Sequence, residues 1–213
     1  MFREREIGEF IDKISSKSPT PGGGTVSALL ASLATSLSIM VFNLTVSKKN
    51  FDDYDEKVKK DILEALDELN KYNTKFLKAM DDDSMAFEKV MEAFRLPKEN
   101  EEDKKVRSLK IQENYKLALE VPLQLAKCSY KLYDYIYLAV NYGNQNAITD
   151  IGVAALSLQS AIEGAVLNVK INASSIKDIN YVNVVINECN KYIKDGREKR
   201  DEIIKIIEDK IET

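Results

Sequence analysis

Histidine and tryptophan are absent from this sequence of 213 residues, and the only cysteines are Cys128 and Cys189. Without histidine the chain has no Ser-His or Cys-His catalysis and no imidazole ligands for a metal ion. Two cysteines cannot form a disulfide framework or a four-cysteine zinc site, which predicts ordinary buried thiols in a reducing compartment. Any acid or base catalysis must therefore come from carboxylates, lysine, tyrosine or backbone groups.

The sequence also has few turn-forming residues and little net charge. Eight glycines and four prolines are too few for a many-stranded β-sandwich. The 31 basic and 35 acidic side chains leave a net charge of −4, so there is no global electrostatic reason to bind nucleic acid or an anionic membrane. With 44% hydrophobic and 31% charged residues, the composition is that of a soluble globular protein. The simplest expectation is one domain spanning residues 1–213.

Neither the first ten residues nor residues 18–47 are expected to form an export signal or a membrane span. The opening MFREREIGEF carries charge and no apolar core, which argues against a secretory signal and predicts a cytoplasmic protein. Residues 18–47 contain no charged side chain, and about 20 apolar residues suffice to span a bilayer. Serine, threonine and asparagine recur through this stretch and lower its hydrophobicity. We therefore expect a buried central helix rather than a membrane span.

The spacing of apolar residues is helical along nearly the whole chain. A short first helix carries Ile7, Phe10, Ile11 and Ile14, and the break before the second helix is rich in proline and glycine. The remaining helices are expected at about 25–46, 58–96, 100–142, 149–171 and 178–211, with Pro122 kinking or dividing the fourth one.

These helices predict an all-α fold, because no segment shows sustained period-two alternation. The helices near 25–46 and 149–171 are rich in alanine, serine and glycine, so neighbouring helices can approach them closely. We expect a helical bundle with these two buried small-residue helices surrounded by long amphipathic helices. Two such helices of low charge need more covering than one chain supplies, which predicts a homodimer.

The first candidate site is the glycine segment Thr20, Pro21, Gly22, Gly23 and Gly24, which opens directly into the second helix. Consecutive glycines let backbone N–H groups reach a ligand, and a helix N-terminus favours an anion or a developing oxyanion. The alternative is a tight turn before a crowded helix. The Gly-Lys-Ser/Thr ending of a nucleotide-binding P-loop is missing.

The second candidate is the acidic run Asp81 to Asp83. At about 100° per residue, Asp83 falls within the apolar stripe of the third helix, while Asp81 and Asp82 fall outside it on a solvated face. A carboxylate on a core-facing stripe must be paired, hydrogen-bonded or neutralised by a raised pKa, and such positions are enriched in function. A structural hydrogen bond between helices explains the same position equally well.

Three further candidates have plain structural alternatives. Asp150 either serves chemistry or sits in the first turn of the small-residue helix as a cap. Asn168 and Asn172 share a helix face, where their amides either hold a heteroaromatic ligand or satisfy each other and the backbone. Arg95 and Lys98 flank the end of the third helix, where they either attract a carboxylate-bearing ligand or complement the helix dipole.

Taken in order, several blocks of the chain resemble the cyclodeaminase/cyclohydrolase family of folate enzymes. They are PTPGGGT with its helix ending in Asn43-Leu44-Thr45, DDDSMAFEKVMEAFRLPK, GNQNAITDIGVAAL and NVKIN, within about residues 8–180. Family members either form 5,10-methenyltetrahydrofolate from the 5-formimino compound with loss of ammonia, or hydrate the methenyl compound to 10-formyltetrahydrofolate. The resemblance implies an all-α homodimer that acts on tetrahydrofolate derivatives and requires no metal or redox cofactor.

The resemblance also implies roles for particular residues. It makes Asp83 and Asp150 catalytic, in reactions that both pass through a tetrahedral carbon between N5 and N10 of the folate. The glycine triplet matches the family's substrate loop. Together with the candidates above, this leads us to expect that the substrate is bound by Thr20, Pro21, Gly22, Gly23, Gly24, Asn43, Arg95, Lys98, Asn144 and Asn168.

The sequence leaves two questions open. The formiminotransferase domain of the bifunctional animal enzyme has no counterpart here, which favours the cyclohydrolase over the cyclodeaminase without deciding between them. The other class of function is a non-catalytic helical scaffold or folate-binding dimer that retains the fold. Neither nucleic acid nor a membrane is expected as a partner.

Overall fold

The computed structural model describes residues 1–212, and at residue 50 it describes the backbone only. The α-helices are α1 (Ile7–Ile14), α2 (Gly23–Val46), α3 (Glu56–Arg95), α4 (Glu101–Lys131), α5 (Tyr133–Tyr142), α6 (Ile148–Ala173) and α7 (Ile179–Ile211). Short 3₁₀ segments lie at Phe2–Glu4, Lys49–Asp53 and Gln145–Ala147. No strand occurs within residues 1–212, so the prediction of an all-α bundle is confirmed.

The long outer helices begin at polar caps. The carboxylate of Asp55 accepts from the backbone N–H of Lys57 at 3.5 Å at the start of α3. The side chain of Asn100 accepts from the N–H of Asp103 at 2.8 Å at the start of α4. Each cap satisfies one of the N–H groups that the first turn of a helix leaves free, which explains where these helices begin.

Of the two expectations for Pro122, a kink or a division of the fourth helix, the division does not occur. Pro122 lies inside α4, and the chain is interrupted only at Leu132, before α5. Because proline has no N–H, the carbonyl of Ala118 one turn earlier loses its helical donor. The side-chain Nδ2 of Asn172 on α6 donates to that carbonyl at 3.0 Å. This bond replaces the missing donor and lets α4 continue through the proline.

Helices α2 and α6 run antiparallel and pack closely at the centre of the molecule. Ser27 of α2 lies against Gly164 of α6, and Val41 near the other end of α2 lies against Gly143, shortly before α6 begins. A Cβ atom at Gly164 would overlap the Ser27 hydroxyl, so this approach requires glycine. Four buried hydroxyls of α2 donate to backbone carbonyls one turn earlier in their own helix, which satisfies them without charge: Ser27, Thr35, Ser38 and Thr45.

The other helices cover α2 and α6 on one side only. Helix α3 packs on α2, while α4 and α7 pack on α6. On the opposite side, the exposed apolar side chains of α2 and α6 form a surface that we call the outer face: Leu33, Met40, Leu44, Val153, Leu156, Leu167 and Ile171. No other helix of the described chain covers these side chains.

By length and composition alone, α2 and the segment Gln145–Ala173 are apolar enough to cross a membrane. In each, 56% of the most apolar stretch is buried inside the bundle. Core helices of soluble bundles satisfy the same criterion, so this feature carries no membrane assignment.

Candidate active site

Asp83 on α3 lies against the first turn of α2. Its Oδ2 accepts a hydrogen bond from Thr25 Oγ1 at 3.2 Å, and its carboxylate also accepts from the backbone N–H of Thr25. The first N–H groups of a helix carry partial positive charge and have no partner within the helix. Asp83 is therefore held at the N-terminal end of α2 by a side chain and a backbone group of the same residue.

Burial raises the pKa of the Asp83 carboxyl above its ordinary value, and the two hydrogen bonds from Thr25 oppose that shift without cancelling it. Desolvation disfavours the charged form, whereas donors to the carboxylate favour it. A carboxyl with a raised pKa holds and releases a proton closer to neutral pH than a solvated aspartate does. This property suits a group that transfers protons during a reaction.

The glycine segment runs into the first turn of α2, and only Thr20 and Pro21 precede its N-cap. Gly22 is the N-cap, Gly23 begins the helix, and none of the described glycines has a positive φ. The glycines are required by close approach instead. A Cβ at Gly24 would overlap the Asp83 carboxylate, and one at Gly23 would lie 3.3 Å from Asn168 Nδ2. Gly23 and Gly24 thus begin α2 and also lie directly against Asn168 and Asp83.

Around Asp83 the structure forms a cleft of about 400 Å³. Several predicted residues line it together: Thr20, Gly22, Gly23, Gly24, Asp83 and Asn168. Sequence reasoning did not anticipate the apolar part of the lining, which includes Phe87, Met91, Tyr115 and Ile171. The Phe87 side chain is on the same helical stripe as Asp83, but it is 39% exposed at the cleft rather than packed in the core.

The two asparagines of α6 both donate to backbone carbonyls. Asn168 Nδ2 bonds the carbonyl of Gly164 at 2.8 Å, and Asn172 Nδ2 bonds that of Ala118. Both residues also line the cleft. These hydrogen bonds to backbone carbonyls account for the side-chain nitrogen atoms. Each side-chain oxygen is left as an acceptor for a bound molecule.

Arg95 and Lys98 are separated by the structure. Arg95 lines a second cleft of about 550 Å³, which shares Thr20, Phe87 and Met91 with the cleft around Asp83. Lys98 is exposed on the segment after α3 and lines neither cleft. Only Arg95 is thus placed to meet a long ligand that extends out of the Asp83 cleft.

Three other predicted residues lie at the far end of α2 and α6. Asn43 is exposed near the end of α2, and Asp150 occupies the first turn of α6 without capping it. Asn144 is buried, and its Oδ1 accepts from Lys48 Nζ at 2.7 Å. At 1.5 Å per residue, this end of α2 is roughly 30 Å from the glycine turn. Within one chain, the structure does not bring Asp150 to Asp83.

The two other carboxylates of the acidic run behave differently from each other. Asp82 forms an ion pair with Lys78 at 2.6 Å on a partly exposed surface. Asp81 accepts from the backbone N–H of Phe2 at 2.6 Å and lies 3.5 Å from Arg3 Nε, with its side chain only 12% exposed. The expectation of a solvated Asp81 is therefore wrong, because the distant N-terminal segment folds over it.

Both cysteines are free thiols, and burial raises the pKa of Cys189 to about 11. Within residues 1–212, no group of three or more cysteine or acidic side chains is placed to hold a metal ion.

Comparisons with known proteins agree with this architecture. The family model described as formiminotransferase-cyclodeaminase matches residues 6–191. The methenyltetrahydrofolate cyclohydrolase of Methylorubrum extorquens is 33% identical over 211 residues, which cover 99% of this chain and 100% of that protein. The formimidoyltransferase-cyclodeaminase of Gallus gallus is 34% identical over 177 residues, covering 82% of this chain and 31% of that protein.

A solved structure extends the similarity to the fold. The crystal structure of formiminotetrahydrofolate cyclodeaminase from Thermotoga maritima superposes with a TM-score of 0.78 and 23% sequence identity, covering 100% of this chain and 98% of that one. At this identity the superposition supports the fold alone. Because the family model spans most of the sequence and one relative aligns from end to end, this chain belongs to the formiminotransferase-cyclodeaminase family.

Proposed function

We propose that this protein is a methenyltetrahydrofolate cyclohydrolase, which adds water to the bridging carbon of 5,10-methenyltetrahydrofolate and releases 10-formyltetrahydrofolate. The observation that carries the proposal is the half-buried Asp83, held at the N-terminus of α2 inside a cleft. The end-to-end similarity to a protein of that name supports the choice among the family's activities.

The walls of the cleft suit a flat heteroaromatic ring with a polar edge. Phe87 and Tyr115 offer aromatic surface, and the side-chain oxygen of Asn168 is an acceptor for a ring N–H. Arg95 lies in the adjoining cleft, where a carboxylate on the substrate's tail meets a guanidinium. The substrate is thus bound with its pterin beside Asp83 and its glutamate toward Arg95.

In the hydration step, a water oxygen forms a bond to the bridging carbon and one water proton passes to the Asp83 carboxylate. This converts the cationic methenyl group into a neutral tetrahedral adduct. The bond from that carbon to N5 then breaks, the adduct hydroxyl loses its proton as the formyl C=O forms, and N5 takes the proton from Asp83. One proton is released overall. No atom changes oxidation state, so the reaction needs no redox cofactor.

The first turn of α2 contributes to the same step. As the adduct hydroxyl loses its proton, negative charge develops on that oxygen. The N–H groups at the start of α2 carry partial positive charge, and Gly23, which is exposed at the cleft, has no side chain to block an approach to its N–H.

A second candidate activity is formiminotetrahydrofolate cyclodeamination, which the names of several relatives favour. In that reaction N10 attacks the formimino carbon and its proton passes to the imino nitrogen. Protonated Asp83 donates a second proton to the resulting amine, and ammonia leaves to give the methenyl cation. The same carboxyl serves both reactions because each passes through a tetrahedral carbon between N5 and N10.

The test is to offer purified protein 5,10-methenyltetrahydrofolate and, separately, 5-formiminotetrahydrofolate. A cyclohydrolase speeds the loss of methenyl absorbance and releases no ammonia from either compound. Ammonia release together with a rise in methenyl absorbance would instead identify a cyclodeaminase. If neither compound reacts but folates bind, the non-catalytic folate-binding alternative replaces both.

We further propose that the protein is a cytoplasmic homodimer whose outer face is covered by a second copy. The seven apolar side chains of the outer face together expose on the order of 600 Å², at the upper limit of the largest patches on monomeric proteins. A standard interface buries about 800 Å² on each partner, so this face is close to the size that a stable dimer needs. Light scattering at micromolar concentration tests the stoichiometry.

A further inference from the structure

The outer face connects the two separated groups of predicted site residues. At one end, Ile171 is 67% exposed and also lines the Asp83 cleft, next to the exposed Gly23. At the other end lie Asn43 and Asp150. Within residues 1–212 the Asp150 carboxylate has no hydrogen-bond or ion-pair partner. This partly exposed carboxylate is therefore available to a group of a second molecule that covers the outer face.

The geometry of α6 relates these two ends. Positions 150 and 168 are separated by five turns at 3.6 residues per turn, so Asp150 and Asn168 lie on the same side of the helix. They are roughly 27 Å apart at 1.5 Å per residue, and Gln159 is midway between them. The exposed side chains Val153, Leu156 and Leu167 follow the adjacent side of the same helix. The two polar residues thus flank one apolar stripe symmetrically.

The apolar stripe of a second copy can pack on this one with the two α6 helices either antiparallel or parallel. If the twofold axis lies in the face and crosses α6 near Ser160, the two α6 helices are antiparallel, and Asp150 of the partner subunit lies across from Asn168. If the helices are parallel, Asp150 of one subunit faces Asp150 of the partner subunit. Like charges placed together repel, whereas a carboxylate near a helix N-terminus is stabilised, so the antiparallel arrangement is favoured.

We propose that each active site is shared between two subunits, with Asp83, the glycine turn and Asn168 from one chain and Asp150 of the partner subunit completing it. The inference rests on the proposed folate chemistry and on the dimer. In this arrangement Asp83 carries the transferred proton. The partner's Asp150 carboxylate lies beside the cationic methenyl group and orients the attacking water. Two carboxylates in different surroundings thereby take different roles.

Heterodimers test the sharing directly. Two differently tagged chains are co-expressed and the mixed dimer is isolated through both tags. A dimer of Asp83→Asn with Asp150→Asn contains one intact shared site, so we expect about half of wild-type turnover, while each variant homodimer is at least 10-fold impaired. A dimer of wild type with the double variant Asp83→Asn/Asp150→Asn contains no intact site and should be as impaired as the homodimers.

The opposite pattern, in which the second heterodimer is half active and the first is not, would place both carboxylates of a site in one chain and overturn the proposal. Wild-type turnover in Asp150→Asn would also overturn it. Circular dichroism and light scattering on each dimer establish that it is folded and dimeric.

Cross-linking tests the geometry without relying on activity. In a Cys128→Ser background, a short bis-maleimide should join subunits of the double variant Val153→Cys/Leu167→Cys, but not those of Val153→Cys alone. Cross-linking of the single variant would indicate parallel helices and refute the shared site. A monomer, or a chain that binds neutral lipid vesicles through the outer face, would refute it as well. Failure of the wild type to act on either folate contradicts the proposed function and leaves the cross-linking result to judge the geometry.

Discussion

Gly24 lies so close to Asp83 that a Cβ atom on the glycine would be only 2.5 Å from the carboxylate carbon Cγ. The contact joins the first turn of α2 to the middle of α3. It explains a glycine inside a helix, where glycine is otherwise less favourable than alanine by about 1 kcal/mol. The close approach of these two residues determines where the carboxylate sits.

The substitution Gly24→Ala should displace Asp83 and lower kcat by about 100-fold or more, since misplacing a catalytic group by about 1 Å can have that effect. We also expect a stability loss of about 1–3 kcal/mol from overpacking. Gly22→Ala is the matched control, because its Cβ would meet only the carbonyl oxygen of Pro19 at 3.4 Å. Kinetics and denaturant unfolding of both variants check the prediction, and equal kinetic effects would contradict it.

Asp83→Asn should reduce turnover by about 10²–10⁴-fold while the fold survives, which is the usual contribution of a general acid or base. The neighbouring Asp82→Asn removes the same charge from a carboxylate that pairs with Lys78 and should retain near-normal turnover. Steady-state kinetics and circular dichroism on the pair measure the effect. Near-normal turnover in Asp83→Asn would remove this residue from the mechanism.

The same substitution should change how stability depends on pH. Burial raises the pKa of Asp83 in the folded state, so between the unfolded and folded pKa values the native protein binds more protons than the unfolded chain. The stability that Asp83 contributes is present at low pH and is lost as the pH rises through the folded pKa. The stability of Asp83→Asn relative to wild type should therefore increase from pH 4 to pH 7.5. Urea unfolding across this range tests the sign, and a decrease would contradict it.

Gly23→Ala separates a binding role from a packing role. Its Cβ would lie 3.3 Å from Asn168 Nδ2, a contact that a small side-chain movement relieves. If the backbone N–H groups of this turn contact the substrate, kcat/KM should fall by on the order of 10-fold or more, since losing one well-placed donor costs about 2.7–4 kcal/mol in comparable sites. Unchanged kcat/KM with a lowered Tm would leave the turn a packing device.

Asn172→Ala should destabilise the protein by about 1–3 kcal/mol, because it leaves the buried carbonyl of Ala118 without a donor. Pro122→Ala restores a backbone N–H to that carbonyl, so Asn172→Ala should cost less in the Pro122→Ala background. A double-mutant cycle by urea denaturation measures the coupling. Strictly additive effects would show that Asn172 does not replace the proline's missing donor.

Much of the fold follows from local patterns in the sequence. Helical periodicity located the helices, and ordered motifs in the single chain indicated the family that the comparisons show. A division of the fourth helix at Pro122 does not occur, because the freed Ala118 carbonyl finds its donor on Asn172, far along the chain. Asp81 was wrongly assigned to solvent for the same reason, since Phe2 and Arg3 cover it.

The sequence by itself determined that Asp83 lies on an apolar stripe, since helical geometry depends only on neighbours along the chain. Only the tertiary structure decided that this stripe meets the first turn of α2, that Phe87 lines a cleft instead of filling the core, and that Asp150 lies at the opposite end of the bundle. A helical pattern specifies which side chains share a face. Which faces meet is decided by packing between helices that are distant in sequence, where Gly24 and Gly164 permit approaches that any side chain would prevent.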